Sequence, residues 1–446
     1  MRDSLLYISF FLNTFFRRHF KQILLASIVG FFITLFFLQI YPLFVDLTSR
    51  KHIKIGIIGN YSPLDLPLSI QRKISMGLTM IAPNGEATAA ASLSWDIQRG
   101  GNIYIFHLDP NLIWHDGKPF TAEDVSYQFK GAIIKKLDDH TLQVELKEIY
   151  APLPVLLSQP LFRPNLNGLG LYKVVRLIQN EDTGNIDEIT LYSQDKTFAT
   201  ETYKFFSNKK DAQLAFKLGE ISILEGLDDD ANLSGWQNVR IIEKTQYDRL
   251  VAIFYNLQNS YFKDKEVRQA LAYAIVPFKD LERAVSPISP LSWGYSNKIR
   301  LYNYDQDSAR KILSKSQVAS ESSELVLSTY ASLLPKAEWI SKSWKEIGLN
   351  VKIRVVNTIP SDYQILLQTI PIPPDPDQYQ YWQSTQETTN ISHFNNPKID
   401  KLLEDGRKNI ELSTRKKIYA DFQLYLIDDA PAIFLYYPKV YTIERK

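Results

Sequence analysis

The chain has 446 residues, and a formal net charge of +2 with basic and acidic residues interspersed leaves no electrostatic footprint for nucleic acid. It contains no cysteine, which excludes disulfides, thiol nucleophiles, thiolate metal sites and a lipid carried on an N-terminal Cys. Aromatic residues make up 13%, with 25 Tyr and 7 Trp, a supply of broad apolar faces with hydrogen-bonding tips that suits a pocket for varied ligands.

Residues 1–21 read as a cytoplasmic segment, in which Leu5 to Phe16 is too short to span a bilayer and is expected to lie along its inner interface. Gln22 to Val45 is uncharged and long enough to cross a hydrocarbon core about 30 Å thick. Tyr41, Pro42 and Leu43 follow the apolar run where a signal peptide would need small residues, so an uncleaved signal anchor is expected. Arg17, Arg18 and Lys21 place the N-terminal side in the cytoplasm and everything after Val45 outside, making the protein single-pass with an extracytoplasmic domain.

The remaining 400 or so residues suffice for two lobes, each with its own core. From Lys51 to Asn256 the chain is mostly strand-like: KIGIIG, IYIFHL, TLQVEL, EITLYS and VRIIEK are the clearest runs. The second of these opens the longer segment IYIFHLDPNLIWHDGKPFTAEDVSYQF (Ile103 to Phe129), an alternating strand, a turn, an exposed Trp-His-Asp-Gly turn, and a helix start capped by Thr121 with Glu123 and Asp124 in its first turn. In RLVAIFYNLQNSYFKDKEVRQALAYAI, Val267, Ala270, Leu271, Ala274 and Ile275 recur at helical spacing as a buried stripe. ELVLSTY followed by AEWISKSWKEIGLNVKIRVV reads strand, helix, strand, an order that predicts parallel pairing. Arg268 is expected to be structural, paired with a carboxylate.

The Ile103 to Phe129 segment resembles the signature of the family 5 extracytoplasmic solute-binding proteins, the dipeptide, oligopeptide and nickel receptors of ABC importers, roughly Y-x-F-x-L-x-x-x-x-x-W-H-D-G-x-P-x-T-A-x-D-V-x-Y. GLGLY (Gly168 to Tyr172), the Arg249 to Ile275 run, and the closing PPDPDQYQYWQST, NISHFNNPKIDKLLEDGRK and RKKIYADFQLYLIDDAPAIFLYYP resemble later family landmarks. The resemblance implies an α/β, two-lobed periplasmic-binding-protein-like fold (type II, cluster C) with an interlobe cleft, preceded by one transmembrane helix. Residues 51–256 would form lobe I with a reduced subdomain, 257–428 lobe II, and 429–446 the return to lobe I, with crossings near Asn256 and Asp429.

It further implies a substrate-binding component that closes about a hinge on a peptide or small solute and delivers it to permease subunits, as a monomer with no cofactor. Candidate ligand-binding residues are Tyr255, Asn256, Trp293, Tyr295, Asp375, Asp377, Tyr379 and Trp382. Peptide-binding relatives often carry an acid just before Asp-Pro-Asp for the ligand's α-amino group. Here that stretch is Thr369 to Pro374, TIPIPP, which has none, so either Asp375 or Asp377 takes over or the ligand lacks a free amine there.

The six His show no metal-ligand spacing and no Gly-x-Ser-x-Gly elbow is present, so no enzyme is expected. A nickel or haem-type ligand would need His or Arg in the cleft. A receptor-like sensor or surface scaffold that keeps the fold without uptake is the alternative from another class.

Overall fold

The computed structural model describes residues 18–22, 24–36, 51–316 and 324–446. An apolar helix, α1 (Arg18–Phe36), comes first, and none of its apolar window is buried against the described chain. The expected interfacial segment at Leu5 to Phe16 lies outside the described residues, as do Ile23 and the part of the expected span beyond Phe36.

The body opens with β1 (His52–Ile58), α2 (Leu68–Ile74) and a short hairpin, β2 (Thr79–Ile81) and β3 (Ala87–Ala89). Next come β4 (Ser92–Gln98), β5 (Ile103–Leu108), β6 (Ala132–Asp138) and β7 (Thr141–Leu146), which form a four-stranded sheet in the order β4-β5-β7-β6. After α3 (Leu153–Leu156), the strands β8 (Tyr172–Gln179), β9 (Ile186–Ser193) and β10 (Thr200–Phe206), then α4 (Lys209–Leu218), β11 (Ile223–Leu227) and β12 (Val239–Thr245), build the main sheet of the first lobe.

The second lobe contains β13 (Arg249–Tyr255), α5 (Lys265–Tyr273), α6 (Gln306–Leu313), β14 (Leu325–Thr329), α7 (Leu334–Lys345), β15 (Val351–Val355) and β16 (Ile365–Pro371). It continues through α8 (Tyr379–Trp382), α9 (Pro397–Lys408), α10 (Leu412–Asp429) and β17 (Ala432–Tyr436), and β18 (Lys439–Arg445) then returns to the first lobe. The two principal sheets run β12-β18-β11-β1-β10-β9-β8 and β15-β14-β16-β13-β17. β14 is parallel to both β15 and β16, as the strand-helix-strand reading predicts.

Strand β13 shows why the second lobe is layered. Val251, Ile253 and Tyr255 point to the face covered by Val267, Leu271 and Trp344, while Leu250, Ala252 and Phe254 point to the face covered by Leu403, Tyr419 and Phe422. A strand buried on both faces needs an unbroken apolar run rather than alternation.

The helix expected after Thr121 is only one 3-10 turn, Ala122–Asp124, because Val125 adopts an extended backbone and the chain then enters β6. Asp124 nevertheless organises this region. It accepts from the Thr121 N–H at 2.9 Å, the Trp114 indole at 3.1 Å and Arg163 at 2.6 Å, and the Arg163 guanidinium lies 4.8 Å from the centre of the Trp114 ring. Burial works against the charge on Asp124, but the Thr121 N–H, Arg163 and the indole outweigh it and hold the carboxyl below its ordinary value of 3.8.

Arg268 is structural, but its partners are carbonyls rather than a carboxylate: Phe262 O at 2.6 Å and Ala430 O at 3.1 Å among them. The left-handed Ala430 ends α10, and a helix end leaves carbonyl oxygens that the guanidinium satisfies.

The domain crossings differ from those expected. β13 and β17 both belong to the five-stranded sheet, so the chain passes between lobes at 246–248 and 437–438, not at Asn256 and Asp429. The apolar runs RLVAIFY and AIFLY are lobe II strands, and the polar or Pro-containing residues beside them make the crossings.

Two outcomes are expected. A Cβ at Gly168 would collide with the Ile74 carbonyl oxygen, so Gly168→Ala should lose about 1–3 kcal/mol in urea unfolding. Asp124 contributes stability that is complete above its ordinary value of 3.8 and lost as the pH falls through the lowered one, so Asp124→Asn should flatten the acid limb of the stability curve.

Candidate functional site

The seam between the lobes is the place where a ligand can be enclosed, and its geometry starts at the crossings. Gln246 N–H donates to Pro438 O at 2.8 Å, joining the two connecting segments side by side. The Tyr247 and Tyr437 rings lie 5.2 Å apart, and Tyr247 donates to Glu282 at 2.5 Å.

Two openings follow the seam. One, of about 360 Å³, lies beside the crossings between the Ile81–Gly85 turn and Ile372, Pro373 and Pro374. The other, of about 790 Å³, lies between the four-stranded sheet and helices α8 and α9, with Phe129, Tyr150 and Leu153 on one side and Tyr379, Glu404 and Arg407 on the other. Both volumes fall in the range of small-molecule sites. A third cavity, of about 70 Å³, lies within lobe II beside Phe278 and Tyr436 and is too small for a peptide.

Asp375 and Asp377 flank this seam, and each holds an arginine. Asp375 meets Arg415 through two bonds, of 2.6 and 3.0 Å, with both side chains under a tenth exposed. Arg415 lies 5.0 Å from the centre of the Trp293 ring, and the Trp293 N–H donates across the seam to Asn84 O at 2.9 Å. Asp377 accepts from Arg407 at 2.8 Å; Arg407 sits 3.9 Å over the Tyr379 ring and 5.4 Å from the Tyr150 ring of the other lobe. The Arg407 carbonyl also accepts from the Ala151 N–H at 2.7 Å. Burial pushes Asp377 up against the pull of Arg407, and burial followed by the Asp377 charge pushes the Tyr150 phenol up to about 12.

Trp293, Asp375, Asp377 and Tyr379 therefore gather along the seam, while Tyr295 is half-buried nearby, its N–H bonded to Ser292 O at 3.0 Å. Three sequence candidates do not reach it. Tyr255 is sealed in one lobe II core, stacked on Phe262 at 4.9 Å, and Trp382 is sealed in the other, stacked on Phe254 at 5.9 Å. Asn256 is buried with its amide bonded to Tyr363 O at 2.9 Å and its oxygen accepting the Gln258 N–H. Tyr255 and Asn256 serve packing because β13 lies between β16 and β17 inside the sheet, and Trp382 packs onto that strand from α8.

Arg407, Arg415, Tyr150 and Asn84 were missed by sequence reasoning. A buried Asp-Pro-Asp pair demands counter-charges, which was the available signal for the arginines; nothing local marks Tyr150 or Asn84. The Thr369 to Pro374 stretch has a further property. Pro371, Pro373 and Pro374 carry no N–H, and the one at Ile372 donates to Asp248 O at 2.7 Å, so residues 371–374 offer no free main-chain donor.

Among the described residues no group of His, Asp and Glu is placed to hold a metal ion. His107 pairs with Asp96 at 3.0 Å, and His115 bonds to the backbone at Gly168 and Gly170.

Breaking one partner of the Asp375–Arg415 pair strands a buried charge. Arg415→Ala should lower stability by about 3–5 kcal/mol in urea unfolding, and Asp375→Asn with Arg415→Met should recover much of that loss.

Comparison with known proteins agrees with this architecture. The oligopeptide-binding protein AppA of Bacillus subtilis is 24% identical over 419 residues, covering 76% of each chain. The di/tripeptide-binding protein 1 of Pseudomonas aeruginosa is 23% identical over 455 residues, covering 79% of this chain and 81% of its own. Among solved structures, the ABC transporter substrate-binding protein CtaP of Listeria monocytogenes superposes with a TM-score of 0.76 at 21% identity, over 89% of this chain and 94% of its own. That likeness confirms the two-lobed fold. Residues 87–390 match the family described as bacterial extracellular solute-binding proteins, family 5, a family of transporter substrate-binding proteins rather than enzymes, and the chain belongs to it.

Proposed function

We propose that the chain is the membrane-anchored, extracytoplasmic substrate-binding component of an ABC importer, which encloses a peptide or similar small solute between its lobes and passes it to a permease. The observation that carries this reading is the paired crossing at 246–248 and 437–438, which links two separately packed lobes across openings of ligand size. Such a connection permits rigid-body closure. The apolar helix Arg18–Phe36 supports the anchor, and the relatives named as peptide-binding proteins support the ligand class.

In this reading Trp293, Tyr295 and Tyr379 border the ligand, and Asp375 and Asp377 act through the arginines they hold. A carboxylate already bonded to a guanidinium is a poor partner for a ligand ammonium, because taking it leaves the arginine buried and unpaired. The ligand is therefore read without its α-amino group. The sensor or scaffold alternative draws support from the direct lobe-to-lobe bonds at Asn84 and Ala151.

Thermal unfolding of the full chain with di- to octapeptides, free or N-acetylated, tests this. At about 100 times its Kd a ligand adds about 2.7 kcal/mol, a visible rise in melting temperature. Equal shifts from both sets are expected. A shift from free peptides alone would show that an aspartate leaves its arginine for the amine, and no shift from either set would overturn the peptide reading and favour the sensor.

A further inference from the structure

Every strand of the seven-stranded sheet ends on one of two rims, and the pairing registers say which. His52 pairs with Thr200, Ile55 with Ile223, Ile223 with Glu444, Val239 with Arg445 and Tyr172 with Ser193, so one rim collects the beginnings of β1, β8, β10, β11 and β12 and the ends of β9 and β18. This is the rim at which the folded body begins, beside Lys51, whose carbonyl accepts from Thr200 N–H at 2.9 Å.

Four large apolar side chains stand out from this rim: Leu218 at 67% exposure, Leu171 at 47%, Phe198 at 41% and Trp236 at 39%. They are held in place rather than trailing. Phe198 meets the buried Tyr172 edge-on at 6.2 Å, and the guanidinium of Arg445 bonds to the α4 end at Phe216 O and Lys217 O. Lys446 bonds through its ammonium to Gln237 O at 2.9 Å, next to Trp236. Between the apolar groups lie the exposed Lys51, Lys196, Lys217 and Lys446, against the exposed acids Asp195 and Glu220 and the half-buried Glu444 near the end of β18.

The opposite rim has the other sign. Asp65, Glu181, Asp182 and the run Asp228–Asp230 project there, with Lys209 held by Asp228 at 2.8 Å and Asp229 at 2.6 Å. Charge in the first lobe is thus polarised along its strands, net basic at the rim beside Lys51 and net acidic at the rim that leads through Thr245 and Lys439 to the second lobe, where Leu64, Lys210 and Lys244 are also exposed.

We propose that the basic rim of the first lobe is a membrane-contacting surface that seats on an anionic bilayer. The inference rests on the reading of α1 as an anchor. Phe36 and Lys51 are close in sequence, so even a fully extended connection reaches at most about 50 Å, and tethering keeps the rim at high effective concentration near lipid. Trp, Phe and Leu at headgroup depth, with lysines whose ammonium groups meet lipid phosphates, are the composition that interfaces select.

Hydrogen exchange of the full chain, inserted through α1 into phosphatidylglycerol or pure phosphatidylcholine nanodiscs, tests it. The rim segments 194–199, 217–222 and 235–239 should exchange more slowly in phosphatidylglycerol at low salt, with segment 180–186 of the far rim unchanged. High salt should remove the protection, since it screens the lysines. Each lysine turned to glutamate should weaken seating about fivefold or more, so Lys51→Glu, Lys196→Glu, Lys217→Glu and Lys446→Glu together should abolish it. Equal exchange in both lipids, with the chain retained in the disc, would overturn the surface and leave the anchor standing. Release of the chain by alkaline wash would overturn the anchor, and the surface with it.

Discussion

Two adjacent strands leave one sheet and enter another, and the rest of the molecule is arranged around that constraint. β12 and β18 pair from Val239 to Thr245, the ladder continues through the Gln246–Pro438 bond, and the same two segments pair again as β13 and β17. Each sheet buries its own clusters, and of the crossing residues Tyr437 is buried in a lobe II cluster with Tyr247 packed against it. A core is close-packed and resists deformation, whereas a short extended ribbon absorbs rotation in a few backbone angles.

What stands across the seam from that ribbon is mostly ionic and aromatic. The Asp375–Arg415 pair is buried, and burying two charges costs about as much as their attraction returns, so such a pair is weak evidence for stability. Its value lies in geometry. Arg415 is fixed by Asp375 and by the Gly406 carbonyl at 2.9 Å, and through it Trp293 is held where its backbone reaches Asn84. Asp377 does the same for Arg407, which meets Tyr150 and Ala151. Two carboxylates in one lobe thereby determine where the other lobe touches.

The strands around β1, β5, β7, β9 and β12 were legible because alternating or continuous apolar runs report burial directly. The parallel pairing in lobe II followed from the order of its elements. β8 and β10 were not picked out: YKVVRLIQ and TETYKFF mix long polar side chains into the run, and their pairing partners, not their composition, make them strands. Trp114, Asp124 and Arg163 form one cluster in space, but Arg163 is distant in sequence from the other two, so the motif could announce a turn and not its counter-charge.

By itself, the sequence determined the α/β class, the family, the apolar segment ahead of the body and the lack of an acid in TIPIPP, because these depend on residue type, order and local period. Only the tertiary structure decided that β13 and β17 belong wholly to the second lobe, that Tyr255 and Trp382 are core, and that Asp375 and Asp377 are committed to arginines. Those outcomes depend on which distant segments meet, and a carboxylate, a tyrosine or a strand has the same local signature whether it faces a cleft or a core.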